Sequence, residues 1–375
     1  MMVRNAPAAS DARPVPRRWR RCLTLSQTEV AVSGTLQSRT LHEDVPAIGS
    51  LAEHIIFEIR RFIVGQDHLL ERLLVALLAR GHVMLEGVPG LAKTATVKAL
   101  AETVGGTFGR VQFTPDLLPS DLVGSRVYNV RTGELTTEVG PVFANLLLAD
   151  EINRAPAKVQ SALLEVMQER QVTIGGQSLA VPDPFLVMAT QNPIESDGTY
   201  PLPEAQLDRF MFKVLVDYPS YEDEITVVER VIGPKIALRP RITLERLRWL
   251  QEAVEAVYVD PRVTAYAAKL VTASRALADH GLPALAGAVQ FGGSPRASIS
   301  LILGARALAL VRGRDYALPR DVAELLPDVL RHRLILSYEG IADGVTPDAV
   351  VRGLLDRFPP PRLELGGSRN DREVA

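Results

Sequence analysis

Cysteine, excess charge and long apolar runs are scarce in this chain of 375 residues, and each shortage excludes a class of protein. Cys22 is the only cysteine, so the chain supplies neither a disulfide framework nor a cysteine-based metal site, and a reducing cytoplasm is its natural compartment. No apolar run approaches the length of a membrane span. The net charge of −2 argues against bulk electrostatic binding of nucleic acid. With 47% hydrophobic residues, the chain is long enough for two packed domains.

The first 46 residues have no sustained apolar period. Their arginines stand among proline, alanine, serine and threonine, at Arg4, Arg13, Arg17, Arg18, Arg20 and Arg21. Because such a composition cannot bury enough apolar surface to fold, residues 1–46 are predicted to be a disordered basic leader. Residues 22–28 do not supply the apolar stretch that a secretory or twin-arginine signal needs. The leader is either a regulatory arm or an extension from an upstream start codon.

A glycine-rich loop lies between a short apolar strand, predicted at residues 83–85, and a helix, predicted at residues 92–101. The loop consists of Gly87, Val88, Pro89, Gly90, Leu91, Ala92, Lys93 and Thr94. In a loop of this kind, successive backbone N–H groups and the helix N-terminus face phosphate oxygens. The sequence therefore predicts that the chain binds a nucleoside triphosphate. The alternative is a Gly-Pro turn before an ordinary helix.

Three positions of this loop have individual consequences. Lys93 is predicted to reach the β- and γ-phosphates, and the Thr94 hydroxyl to ligate Mg²⁺. Ala92 stands where the last glycine of such a loop is expected. If the backbone has a positive φ there, alanine costs about 1–2 kcal/mol. That cost is small beside a cradle of several amides and a lysine, so the prediction of a phosphate-binding loop stands.

A second apolar strand, at residues 145–149, ends in two carboxylates. Because a buried parallel strand delivers its last residues to the carboxyl edge of the sheet, Asp150 and Glu151 are expected at the edge where such sheets bind ligands. Asp150 is predicted to hold Mg²⁺ directly or through water. Glu151 is predicted to polarise the attacking water, a contribution of roughly 10²–10⁴ in rate. The alternative is a strand that ends in a solvated acidic turn.

These motifs resemble those of the MoxR family of AAA+ ATPases, and the resemblance extends from about Ile63 to Arg333. Six blocks resemble the family in its own order: Gln112–Asp121, Gly140–Phe143, Asp150–Ala155, Gln191–Pro193, Glu204–Phe210 and Gly293–Ala297. The resemblance implies an α/β fold, with a P-loop AAA+ parallel sheet domain and a C-terminal all-helical lid domain. It also implies ATP and Mg²⁺ as cofactors, and a homo-oligomeric ring that is expected to be a hexamer.

The resemblance assigns roles to residues that lie outside the loop. Gly65 and Gln66, which precede an amphipathic helix, correspond to the adenine side of the family's nucleotide site. Asn192 corresponds to the sensor-1 residue, which touches the γ-phosphate or the lytic water. Asparagine is also an ordinary turn former, so a plain turn is the alternative there.

Two arginines complete the implied site. Arg209 corresponds to an arginine finger that enters the neighbouring subunit's site and is worth about 10³–10⁵ in kcat. The alternative is a surface arginine paired with Asp208 or Glu204. Arg296 corresponds to sensor 2 and follows a predicted N-cap at Ser294. A cation at a helix N-terminus opposes the helix dipole, so Arg296 serves something other than helix stability. The sequence does not decide whether it acts in cis or in trans.

Two further segments are typical of this branch of the AAA+ proteins. Residues 128–138, with a turn at Arg131–Glu134, resemble the family's helix-2 insert. Residues 171–181 alternate in polarity around Gly175 and Gly176 and predict a β-hairpin. By resemblance this is the hairpin before sensor 1, and both segments would line the axial face of a ring. A hairpin that only extends the main sheet is the alternative.

The chain is predicted to divide into a leader (residues 1–46), a nucleotide-binding domain (47–218), a helical lid domain (219–336), and a C-terminal segment and tail (337–375). Strands predicted near residues 83, 110, 145, 185 and 211, with helical stretches between them, indicate a parallel sheet covered on both faces. Apolar residues recur at spacings of three and four in the lid. His332 stands among charged residues near a helix end and is expected at the surface.

The resemblance implies an ATPase that remodels or matures client proteins, with partners that carry a von Willebrand factor A domain. A fold alone does not establish the client. Two other classes of function stay open. A nucleic-acid motor of the same branch would have lysine or arginine at the hairpin tip, residues 175–178, which has neither. A nucleotide-gated scaffold would have lost Glu151 or Arg209, and both are present.

Overall fold

The structure is a computed structural model that describes residues 41–88, 90–131, 133–192, 199–234 and 237–362. Several predictions lie outside the described residues: those for most of the leader, for Pro89 of the loop, for Pro193, and for the polar end of the tail. Among the described helices, none has the length and apolar character needed to cross a bilayer.

In chain order, the strands of the described residues are β1 (Val83–Glu86), β2 (Phe108–Gln112), β3 (Gly124–Asn129), β4 (Glu134–Val139), β5 (Leu146–Asp150), β6 (Gln171–Ile174), β7 (Gln177–Ala180), β8 (Leu186–Gln191), β9 (Phe212–Leu215), β10 (Val289–Phe291) and β11 (Ile335–Leu336). The α-helices are α1 (Leu41–Arg60), α2 (Asp67–Leu78), α3 (Lys93–Thr103), α4 (Pro119–Val123), α5 (Ala157–Glu169), α6 (Glu204–Leu207), α7 (Tyr221–Ile232), α8 (Leu244–Ala256), α9 (Pro261–Ala273), α10 (Pro283–Ala286), α11 (Pro295–Val311), α12 (Pro319–Leu330), α13 (Tyr338–Ala342) and α14 (Pro347–Arg357).

Five strands form one parallel sheet in the order β2-β5-β8-β1-β9. Alternate residues of these strands enter two different cores. Leu146 and Leu148 face the core that also contains the first helices and the lid. Leu147 and Ala149 face a second core, which contains α5. The parallel sheet covered on both faces, predicted from five apolar strands and their intervening helices, is therefore confirmed.

Helix α1 begins at Leu41, so the structure corrects the predicted leader, which extended to residue 46. Val45, Ile48, Ala52 and Ile59 lie three to seven residues apart on one face of this helix and are buried in the first core. Because this apolar stripe starts at Val45, the helix belongs to the folded part of the chain. The predicted boundary fell too late because the residues before Leu41 are basic and have no sustained apolar period.

The lid consists mainly of α8, α9, α11, α12 and α14, so the predicted helical lid is confirmed, although β10 and β11 pair within it as a short antiparallel sheet. The structure also corrects its end. Residues 337–358 were assigned to a C-terminal segment and tail, but α14 packs against α9 and α12 and buries Val350, Val351 and Leu354. The Tyr266 hydroxyl donates to the carbonyl of Phe358 at 2.8 Å. The folded lid therefore continues to Phe358.

His332 was expected at the surface and is instead buried, with 7% of its surface exposed. Its Nε2 lies 3.0 Å from the carbonyl oxygen of Phe210. The charged end of α12 faces the segment before β9, and this tertiary contact removes the imidazole from solvent. Burial and the neighbouring Arg333 lower the pKa of His332 well below its ordinary value.

Two β-hairpins stand apart from the main sheet. Strands β3 and β4 pair with each other, and so do β6 and β7, each as a separate two-stranded sheet. The predicted hairpin at residues 171–181 is confirmed, and it does not extend the main sheet. Its turn needs glycine, because Gly175 and Gly176 have φ values of +56° and +84°. A Cβ at Gly175 would also meet the side chain of Arg126 in β3, so the two hairpins touch.

His82 is a second buried imidazole, and it predicts acid sensitivity. Its Nδ1 accepts a hydrogen bond from the backbone N–H of Val187 at 3.0 Å, and its Nε2 lies 3.2 Å from the carbonyl of Met167. Burial, assisted by the nearby charge of Arg170, lowers the pKa of His82 to about 3. The imidazole is therefore neutral in the folded chain at every pH above that value.

Below an unfolded-state pKa of about 6.5 the unfolded chain takes up a proton that the folded chain does not, so stability falls by about 1.4 kcal/mol per pH unit between pH 6 and pH 4 for this one group. His82→Gln, which does not titrate, is expected to reduce the slope of unfolding free energy against pH by one proton. Denaturant titrations at several pH values measure this slope, with exposed His54→Gln as the matched control. Equal slopes for the two variants would contradict the assignment.

Candidate nucleotide-binding site

A cleft of about 400 Å³ lies at the carboxyl edge of the sheet, between the loop after β1 and the ends of β2, β5 and β8. It is lined by residues 90–95 and by Arg110, Asp150, Glu151, Thr190 and Asn192. The structure thus brings together the second half of the glycine-rich loop, both carboxylates and the proposed sensor-1 asparagine. Gly87 and Val88 precede the lining residues of the loop.

The loop has the backbone that a phosphate cradle requires. Gly90 has a φ of +87°, and Ala92 has a φ of 55°, so the positive φ considered for Ala92 is present. The expected cost of alanine in this conformation is about 1–2 kcal/mol. A Cβ on Gly87 would lie 2.5 Å from the carbonyl oxygen of Val216, so glycine is needed there for close packing. Helix α3 starts immediately after Ala92, which directs its free N–H groups toward the cleft.

Lys93 folds back over the loop that carries it. Its Nζ donates a hydrogen bond to the carbonyl of Gly87 at 2.6 Å. Partial burial lowers the pKa of Lys93, while the charges of Asp150, Glu151 and Glu86 act in the opposite direction. The ammonium group therefore lies in the same cleft as the two carboxylates, whose charges favour its protonated form.

Thr190, at the end of β8, connects the two acids and was not singled out by the sequence. Its hydroxyl donates to Asp150 Oδ1 at 2.7 Å and accepts from the backbone N–H of Glu151 at 2.8 Å. Because Thr190 is almost fully buried, its rotamer is held by packing. One hydroxyl thus orients the carboxylate of Asp150 and the backbone of Glu151.

Glu151 is held in a strained conformation. Its φ of 56° is in the left-handed region, which costs a residue with a Cβ about 1–2 kcal/mol. Its carboxylate accepts from Gln112 Nε2 at 2.8 Å and pairs with Arg154 Nε at 3.0 Å. Strain of this kind persists where the surroundings over-determine a geometry, and it collects at functional sites.

Arg110 also binds one of the acids. Its Nη2 lies 2.8 Å from Asp150 Oδ2 and 3.0 Å from Gln112 Oε1. Arg110 and Gln112 are two residues apart in β2, so both side chains project from the same face of the strand. That spacing was visible in the sequence, but their contact with the acids depends on the pairing of β2 with β5.

The residues of the cleft fit Mg²⁺ bound together with a nucleotide. The described residues contain no group of three or more His, Cys, Asp or Glu side chains that could hold a metal ion. The hydroxyl of Thr94 and the carboxylate of Asp150 line the same cleft and are the hard oxygen donors that Mg²⁺ prefers. Mg²⁺ commonly takes one or two protein oxygens and completes its shell with phosphate oxygens and water.

The two predicted arginines lie elsewhere, in a second cleft of about 330 Å³. Its lining includes Gly81, His82, Gln168, Arg170, Arg209 and Arg296. Neither Arg209 nor Arg296 lines the cleft of the glycine-rich loop. The structure therefore divides the predicted site residues into two groups.

Arg209 has no partner of the kind that the surface alternative requires. Among the described residues it makes no ion pair, and its buried Nε lacks a hydrogen-bond partner. Asp208 is bound instead by Arg333 Nε at 2.7 Å and by the hydroxyl of Ser294. Arg296 is half exposed, and its Nη1 lies 3.6 Å from Asp208 Oδ2.

The start of α11 follows its prediction. The Ser294 hydroxyl accepts from the backbone N–H of Arg296 at 3.1 Å, which makes Ser294 the N-cap, and Pro295 is the first helical residue.

Gly65 and Gln66 lie where the sheet domain meets α7. Gly65 has a φ of +72°, and a Cβ there would lie 3.0 Å from a carboxylate oxygen of Asp223. Gln66 Nε2 donates to the carbonyl of Asp217 at 3.3 Å. Gln66 thus contacts the segment between β9 and α7, and Gly65 lies beside α7. Neither residue lines the cleft of the loop.

The parallel sheet, the glycine-rich loop and the paired acids at its carboxyl edge define a P-loop domain of the AAA+ class, followed by a helical lid. Comparison with known families agrees. Residues 82–212 match the model of the ATPase family associated with various cellular activities, and residues 284–354 match the AAA lid domain.

Individual relatives narrow the assignment from this class to one family. The chain is 55% identical to Chaperone MoxR1 of Mycobacterium tuberculosis, over 83% of this chain and 82% of that one. It is 33% identical to Protein MoxR of Methylorubrum extorquens, over 81% and 93% of the two chains. A crystal structure from Cytophaga hutchinsonii, described as that of a candidate ATPase, has a TM-score of 0.81 and 43% identity, covering 85% of this chain and 98% of that one. The chain belongs to the MoxR family of AAA+ ATPases.

Proposed function

We propose that this protein hydrolyses ATP with Mg²⁺ and that each complete site is shared by two subunits of a ring, which we expect to be hexameric. The observation that carries the proposal is the division of the site residues between two clefts. One cleft has the groups that bind the nucleotide and activate water, and the other has Arg209 and Arg296. Each cleft alone lacks what the other supplies.

Within the first cleft, each residue has a chemical task. The loop amides and Lys93 bind the phosphates, Thr94 and Asp150 hold Mg²⁺, and Glu151 polarises the attacking water. Asn192 would orient that water or the γ-phosphate. Bound Mg²⁺ would neutralise charge that develops on the β- and γ-phosphate oxygens. Gly65 and Gln66 would contact the adenine side.

The second cleft supports a role in trans. Among the described residues Arg209 makes no ion pair, and it lines the second cleft. Its guanidinium is therefore available to the phosphate oxygens of a neighbouring subunit's nucleotide. Arg296 shares this cleft, so we propose that it acts in trans beside Arg209.

We further propose that ATP turnover drives remodelling or maturation of a client protein in the cytoplasm, with a partner that carries a von Willebrand factor A domain. The relative named Chaperone MoxR1 supports a chaperone role. The hairpin of β3 and β4 exposes Val127, Tyr128 and Leu135. Arg126 in β3 lies opposite Thr137 of β4, and Glu138 of β4 lies opposite the neighbouring Ser125. This mixture of apolar groups and both charges suits a protein client better than a phosphate backbone.

Glu151→Gln separates turnover from binding. The variant is expected to bind ATP with near-normal affinity and to hydrolyse it at least about a hundredfold more slowly, because only the activation of water is removed. Titration calorimetry and steady-state turnover measure the two quantities, with exposed Glu165→Gln as the matched control. Turnover equal to that of an active wild type would show that another group orients the water. A nucleotide-gated scaffold would show no turnover in either the wild type or the variant.

Mixing of variants tests the shared site. Arg209→Ala subunits are expected to bind ATP but to be nearly inactive alone. When they co-assemble with Glu151→Gln subunits, some interfaces pair an intact Glu151 with an intact Arg209, so ATPase activity should rise above the sum of the separate activities. Recovery is partial, because only some interfaces are complementary.

The control for this mixture is the double variant Glu151→Gln/Arg209→Ala, mixed with Arg209→Ala, in which no interface has a finger. Activity is measured across a titration of the two variants after co-assembly has been verified. Activity that stays at the sum for the complementary mixture would count against action in trans.

A further inference from the structure

Arg333, in the turn that follows α12 in the lid, contacts the backbone on both sides of Arg209. Its side chain is buried, with 2% of its surface exposed. Its Nε donates to Asp208 Oδ1 at 2.7 Å, and its Nη2 donates to the carbonyls of Asp208 at 3.0 Å and of Phe210 at 2.7 Å. A fourth hydrogen bond joins Nη1 to the carbonyl of Met211 at 3.3 Å. One guanidinium therefore holds the residues before and after Arg209.

A second part of the lid, the start of α11, also binds this anchor, the carboxylate of Asp208. The hydroxyl of Ser294, which caps α11, donates to Asp208 at 2.8 Å. Imidazole Nε2 of His332 reaches the carbonyl of Phe210 at 3.0 Å. The lid thus contacts this short segment from the start of α11 and from the turn after α12, on both sides of Arg209.

These contacts suit positioning better than simple cohesion. Arginine presents its donors as a rigid planar fork, so one side chain fixes several acceptors in a defined geometry. Lysine would keep the charge opposite Asp208 but lose the simultaneous contacts. A displacement of about 1 Å in a catalytic group can cost a hundredfold in rate.

We propose that Arg333 is a positioning residue, which holds Arg209 in register with the lid so that a subunit's lid sets the finger presented to its neighbour. This inference rests on the proposed role of Arg209 in trans. It predicts that a defect at Arg333 appears in the site of the adjacent subunit, not in the ATP affinity of its own loop.

The test is Arg333→Lys, with Arg331→Lys as the matched control. Arg331 is also partly buried and binds Asp348 at 2.8 Å and the carbonyl of Lys213 at 2.7 Å, but it does not contact residues 208–211. Arg333→Lys alone is expected to lower kcat about tenfold or more. Its ATP affinity is expected to remain within about twofold of wild type. Arg331→Lys is expected to retain near-wild-type kcat.

Two mixtures locate the defect. A mixture of Arg333→Lys and Glu151→Gln subunits should have more ATPase activity than the sum of the separate activities, because the Glu151→Gln subunits supply a well-placed finger. Arg333→Lys with Arg209→Ala should stay at the sum, because neither subunit supplies one. Rescue in the second mixture would place the defect in cis and overturn the inference. An unchanged kcat for Arg333→Lys would overturn it as well.

Failure of the inference is separable from failure of the proposed function. If Arg209→Ala is fully active alone, the finger itself is refuted; if Arg209→Ala behaves as a trans defect and Arg333→Lys does not, only the positioning role is refuted. Should Arg333→Lys not fold, as judged by its thermal transition, Asp208→Asn is tested in the same mixtures. It keeps the shape of the anchor and removes its charge, and the same pattern of rescue is required of it.

Discussion

The parallel register of the central sheet decides where the nucleotide-binding groups stand. Strand β5 lies between β2 and β8, and Gln112 is directly opposite Asp150 across the first pair. Because parallel strands end at one edge, the polar residues that follow their apolar runs meet there. Arg110, Gln112 and Thr190 contact the two acids for this reason, although they are separated from them by about forty residues of chain.

The second constraint is the carboxylate of Asp208. It receives Arg333 and Ser294 and lies near Arg296, so two parts of the lid, the start of α11 and the turn after α12, converge on one acid of the sheet domain. A buried guanidinium without its carboxylate would be costly. The cleft that contains Arg209 and Arg296 is therefore attached to the lid, whereas the cleft of the glycine-rich loop is formed by the sheet domain. Movement of the lid relative to the sheet would change the relation between the two halves within one subunit.

Local chemistry explains what was predictable from the sequence. The glycine-rich loop, the acids after a buried strand and the Gly175-Gly176 turn each depend on residues close together in the chain, and the structure has all three. The burial of His332 was missed, because it depends on the contact of α12 with a distant segment. The packing of α14 was missed for the same reason. The separate cleft of Arg209 and Arg296 is a tertiary arrangement that no local pattern reports.

The central claim is that a working site needs two subunits, and dilution tests it most directly. ATP turnover per subunit should be measured across a range of protein concentrations, with the oligomeric state determined at each concentration by sedimentation under the same nucleotide conditions. The account predicts that turnover per subunit falls in step with the loss of oligomer. Constant turnover per subunit in samples that sediment as monomers would contradict it.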